Sequence, residues 1–122
     1  MSDDWRRAII RAALREVGYD ALGTRGSREA WLVPPAAADR GPVRLVIVDQ
    51  EGLSPVEIES LSALRQRFSE PDILLLARVT IASPAGPWSR VLRRPVSVAE
   101  IVSAAEELVP LPALLRHAID AR

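Results

Sequence analysis

Val43-Arg44-Leu45-Val46-Ile47-Val48, closed by Asp49, is nearly all apolar and rich in β-branched side chains. A strand with one wet face alternates apolar and polar residues. An unbroken apolar run instead predicts a strand buried on both faces, as in a parallel sheet covered by helices. The run ends on a carboxylate, and ligands of open α/β sheets sit beyond the carboxyl ends of their strands. Downstream, Ser54-Pro55-Val56-Glu57 predicts a helix start, with Ser as N-cap, Pro at the first helical position and Glu at the third. The apolar face of that helix is Val56, Ile58, Leu61, Leu64 and Phe68. Ile73 to Leu76 is a second buried strand.

Working outward, residues 4–17 place Trp5, Ile9, Ile10, Ala13, Leu14 and Val17 on one helical stripe, with Trp5 expected in the core. Gly18 is a C-terminal stop. Residues 19–25 are short and mildly extended. Residues 27–33 read either as a short helix capped by Ser27 or as a strand turning back on 20–25, and Pro34-Pro35 ends both versions. Residues 36–42 read as a loop. Two prolines and a glycine leave residues 79–89 little room for a long helix, and Val91-Leu92 lies in a short strand. Ser97-Val98-Ala99-Glu100 is a second capping box, opening a helix with Ile101, Val102, Ala105 and Leu108 inward. Buried strands alternating with amphipathic helices indicate an α/β sheet with right-handed crossovers. The expected organisation is one domain over residues 1–110 and a tail or short helix over 111–122, whose Leu111, Leu114, Leu115 and Ile119 pack on the domain or form a dimer face.

The composition narrows the function. A chain that is 48% apolar and 26% charged is globular. Sixteen acidic residues cancel sixteen basic ones, so the expectation is no nucleic-acid partner and no anionic membrane surface. With no cysteine there is no disulfide, thiolate or cysteine–metal chemistry. Together with the acidic Met1-Ser2-Asp3-Asp4, this fits a cytoplasmic chain. His117 is the only histidine, which removes histidine-centred triads. Every basic side chain is arginine.

Three stretches carry a family resemblance. Arg11 to Gly26, through Gly18-Tyr19-Asp20, followed by Ser27-Arg28-Glu29-Ala30, is similar to the first helix, second strand and second-helix start of response-regulator receiver domains. Leu45 to Asp49 resembles the third strand with its terminal aspartate. Val91 to Leu108 is similar to the fifth strand and last helix, with Arg94-Pro95 where the family has Lys-Pro. The resemblance implies a flavodoxin/receiver-like, mostly parallel sheet with flanking helices. It places Asp49 at the phosphoacceptor position, Arg94 at the lysine position and Ala77 at the hydroxyl position, unless a register shift brings in Thr80. The family's acidic pair would fall at Met1-Ser2, so the first strand is missing or replaced, and the fourth helix is shortened into 79–89. In the family's strand order, 2-1-3-4-5, that gap lies mid-sheet. Residues 28–33 as a hairpin strand, another copy of the chain or a rearranged sheet would fill it.

Phosphoryl transfer to an aspartate needs a carboxylate nucleophile and a divalent cation held by neighbouring carboxylates. Only Asp3, Asp49 and Glu51 offer themselves to a metal, and Mg2+ enters only if the site is retained. Arg94 is no substitute for a lysine point charge, because its planar fork grips a carboxylate. Asp49 and Arg94 are therefore read as a static ion pair or as solvated side chains. The expectation is a non-catalytic pseudo-receiver without a cofactor, acting as a protein-interaction module in bacterial signalling, with a homodimer as one assembly. Its binding candidates are Trp88, Val91, Arg93, Arg94 and Pro95, with Trp88 either an exposed anchor or a lid over the sheet edge. The alternatives are a receiver phosphorylated weakly at Asp49, and a restriction-endonuclease-like fold with a degenerate site, drawn from a helix–strand–strand–strand–helix–strand outline of residues 4–76.

Overall fold

The structure is a computed structural model, and it describes residues 3–24, 27–34, 36–37, 41–50, 55–77 and 86–111. In chain order the elements are α1 (Asp3–Glu16), α2 (Ser27–Ala30), β1 (Ala36–Ala37), β2 (Gly41–Pro42), β3 (Leu45–Asp49), α3 (Pro55–Arg67), β4 (Asp72–Ala77), β5 (Arg90–Arg93) and α4 (Val98–Leu108). They fall into two compact units, one of residues 1–23 and 97–122, the other of residues 24–96.

The first unit packs α1 on α4. Helix α1 ends where Gly18 takes φ +109°, a conformation open to a residue without Cβ. The Gly18 N–H donates to Arg15 O (3.1 Å) and the Tyr19 N–H to Leu14 O (3.0 Å), which satisfies two carbonyls the helix would otherwise leave open. The chain is then tied down twice, by Arg15 Nε donating to Ala21 O (3.0 Å) and by the Tyr19 hydroxyl donating to Val109 O (2.6 Å). The second capping box forms at its N-cap: Ser97 Oγ accepts the Glu100 N–H at 3.1 Å. Leu14, Ile101, Ala104 and Ala105 are buried. Trp5 is not core: it lies in the first turn of α1 and is 55% exposed. An apolar stripe fixes which face of a helix turns inward, but the end of the stripe can overrun what it packs against.

The second unit is built on a parallel sheet in the order β3-β4-β5. Leu45 to Asp49 pair with Asp72 to Leu76, and Leu74 to Ala77 pair with Arg90 to Arg93. Central β4 is the core of the unit, with Ile73 to Ala77 all at most 2% exposed. Leu61, Leu64 and Phe68 of α3 and its C-terminal turn form a buried cluster against which Ala30, Val33, Val43, Val48 and Trp88 pack. Val56, assigned from sequence to the same face, is 71% exposed in the first turn of α3. Its proposed cap, Ser54, lies outside the described residues. Helix α3 stops through Ser69 and Glu70, both at positive φ (62° and 57°), with the Glu70 N–H returning to Arg65 O at 2.8 Å. Non-glycine residues adopt this left-handed region at a cost, and the hydrogen bond offsets part of it.

The open question over residues 27–33 resolves to the helix. Ser27–Ala30 is one turn, extended by Leu32 N–H to Glu29 O and Val33 N–H to Ala30 O (both 3.1 Å). Residues 28–33 therefore do not form a strand beside β3. Residues 20–24 form no strand either, so the family's second strand is not made there. This also removes two strands of the endonuclease-like outline. Ala36–Ala37 and Gly41–Pro42 pair as a small antiparallel ladder where a loop was expected. Among the described residues, β4 is the only strand that pairs with β3. Most of the segment read as a shortened fourth helix lies outside the described residues, as does the tail beyond Leu111 with His117.

Candidate functional site at the carboxyl end of the sheet

Parallel register brings the ends of three strands together. Asp49 closes β3 beside Leu76, and Ala77 closes β4 beside Arg93. The Arg94 N–H donates to Ala77 O at 3.1 Å, holding the residue after β5 against the end of the central strand. The Arg94 guanidinium thereby reaches Asp49: Arg94 Nη2 donates to Asp49 Oδ2 in a salt bridge. Residues 45 apart in sequence meet because Asp49 ends β3, Arg94 follows β5, and both strands flank β4 in parallel. The Arg94–Pro95 peptide is cis.

The pair is half-buried, with 19% of the Arg94 side chain and 30% of the Asp49 side chain exposed. Partial burial raises the cost of an unpaired charge, and each side chain neutralises the other. The match is incomplete, because Arg94 Nε is buried with no hydrogen-bond acceptor among the described residues. Of the two outcomes weighed for these residues, ion pair or solvated side chains, the structure contains the ion pair.

Ala77, at the hydroxyl position, is fully buried and brings only a methyl group to the strand end. Among the described residues no group of three His, Asp or Glu is arranged to hold a metal. The metal candidates Glu51 and the Asp3 side chain lie outside what is described, as does Thr80.

Trp88 is not an exposed anchor. It is half-buried against the Leu61, Leu64 and Phe68 cluster. Its indole lies so close to Gly86 that a Cβ there would stand 2.6 Å from Cε2 and Cζ2. Ser89 next to it stitches the start of β5 to β4: its N–H donates to Ile73 O (2.8 Å), and its hydroxyl accepts the Ile73 N–H and donates to Asp72 Oδ1 (both 3.0 Å). Val91 is half-buried, whereas Arg93 and Pro95 are exposed. Sequence reading missed a second arginine contact, with the Arg67 guanidinium 5.1 Å from the Trp31 ring centroid and Nη2 donating to Val33 O at 3.3 Å. No local pattern announces a pair so far apart in the chain.

Comparison with known proteins locates the fold. No family model and no curated protein sequence matches the chain. Among solved structures it is similar to NtrX from Brucella abortus, a response regulator whose crystal structure was solved in complex with ATP. The TM-score is 0.66 at 18% identity, over 99% of this chain. The chain spans 27% of the NtrX chain. The fold is thus a receiver-like α/β fold, a parallel sheet with flanking helices.

Proposed function

We propose that this chain is a receiver-like regulatory module that acts by binding other proteins, and that Asp49 serves as a structural ion-pair partner and not as a phosphoacceptor. The observation that carries the reading is the Arg94–Asp49 salt bridge at the carboxyl end of the sheet. A phosphoacceptor carboxylate must present an oxygen to the incoming phosphorus beside a divalent cation. Here a guanidinium already sits on Asp49 Oδ2, and a second cation at that oxygen would be repelled by it. The described residues at this strand end fit a divalent cation poorly, and the reading needs no cofactor.

The partner surface in this reading is the stretch around the end of β5, where Arg93 and Pro95 are exposed. Trp88 is committed to its own core and contributes by supporting that stretch. The chain itself is one candidate partner.

An NMR titration with Mg2+ and beryllofluoride, a phosphoryl mimic, tests the reading beside an Asp49→Asn control. The expected result is no saturable shift at Asp49 or at residues 77–94. Saturable shifts there, absent from the control, would show a working acceptor site and overturn the proposal.

A further inference from the structure

Strand β3 has the composition of an interior strand but, among the described residues, the position of an outer one. Every residue from Leu45 to Asp49 is half-buried, whereas β4 is buried almost throughout. The direction of its free backbone groups follows from the hydrogen bonds on the other side. Arg44 O accepts the Asp72 N–H at 3.0 Å, so Arg44 turns its backbone polar groups toward β4. In a parallel ladder each residue directs its N–H and C=O to one side, and successive residues alternate. Val46 and Val48 therefore also face β4, and Leu45 and Ile47 face outward. The same alternation holds across β4, where Ile73 O and Ala77 O accept from Ser89 and Arg94 on the β5 side. Among the described residues no strand receives the groups of Leu45 and Ile47.

Outer strands are normally protected by charge, proline or a bulge. The other outer strand, β5, carries Arg90 and Arg93 at its two ends. From Leu45 to Val48, β3 has no charge and no proline. The strand is built to be covered, and what covers unpaired N–H and C=O groups at this spacing is another extended backbone.

We infer that the occupant is β3 of a second copy, paired antiparallel about a two-fold axis through Val46. Leu45 then exchanges two hydrogen bonds with the partner's Ile47, the mirror pair exchanges two more, and the two copies of Val46 pack as a β-branched pair. Charge favours this arrangement. Asp49 of each copy lies at opposite ends of the ladder and beside an apolar strand, whereas a parallel pairing would set Asp49 near Asp49. Two three-stranded sheets become one of six strands. The inference adds a second binding surface, on the other side of the sheet from the end of β5, and it does not depend on whether Asp49 accepts a phosphoryl group, so the beryllofluoride titration and the following test fail independently.

Size-exclusion chromatography with light scattering, on the full chain from micromolar to millimolar concentration, is expected to show a monomer passing to a dimer. Amide hydrogen exchange by NMR then identifies the surface. The Leu45 and Ile47 amides should gain protection in the dimer, while the Val46 and Val48 amides stay protected at both concentrations. Ile47→Pro removes an outward donor at a position that contributes nothing to the β3–β4 ladder, and should weaken dimerisation roughly tenfold or more. If that variant does not fold, the exchange pattern of the unaltered chain decides alone. A chain that stays monomeric, or a dimer in which Leu45 and Ile47 gain no protection, would overturn the inference.

Discussion

Gly86 illustrates how a single residue supports this fold. A Cβ at this position would lie 2.6 Å from the Trp88 ring, and the ring cannot simply swing away, because it packs on the Leu61, Leu64 and Phe68 cluster. Gly86→Ala should therefore force Trp88 off that cluster. The expected loss is ~1–3 kcal/mol, as for overpacking of other cores, read from the midpoint of urea unfolding. A midpoint equal to that of the unaltered chain would mean that the indole has space to move. Asp49 and Arg94 show a complementary point. Their residue types suggested a pair, but only the strand register brings them together, and it leaves Arg94 Nε buried without an acceptor among the described residues.

At the scale of elements, the helix ends are the most locally determined part of the chain. Gly18 stops α1 and Ser97 starts α4, each through hydrogen bonds to residues within five positions. Ser97→Ala removes the acceptor for the Glu100 N–H and should cost about 1 kcal/mol. Thermal or urea unfolding gives the loss, and faster amide exchange confined to the first turn of α4 would assign it to the cap. Unchanged exchange in that turn would mean that water replaces the hydroxyl without loss. The strands follow a different logic. The apolar runs Leu45–Val48 and Ile73–Leu76 both read as strands buried on two faces. Central β4 is so buried, but β3 is half-buried, because composition reports what a strand can cover and not which neighbours it has.

At the scale of the whole molecule, the paired-edge inference has a thermodynamic consequence. A dimer that binds folded chains and not unfolded ones adds stability that grows with concentration. The apparent Tm should rise as protein concentration is increased from micromolar to millimolar, and this dependence should vanish in Ile47→Pro. A Tm independent of concentration over that range would count against pairing through β3.

The sequence by itself determined the class of fold and most of its punctuation. Hydrophobic period, capping residues, proline and glycine act over a few residues, so they can be read without knowing the rest of the chain. They marked α1, α3, α4, the three parallel strands and the carboxylate at the end of β3. They left residues 27–33 open between helix and strand, since a segment of seven residues satisfies both patterns, and α2 was settled by packing on α3. Burial at the ends of helices, as at Trp5 and Val56, escaped local reading because it depends on where the neighbouring element stops. Only the tertiary structure decided that Trp88 belongs to the core, that Arg94 rests on Asp49, and that Leu45 and Ile47 turn their backbone outward. Each of these depends on register between strands far apart in sequence, and register is a property of the assembled sheet.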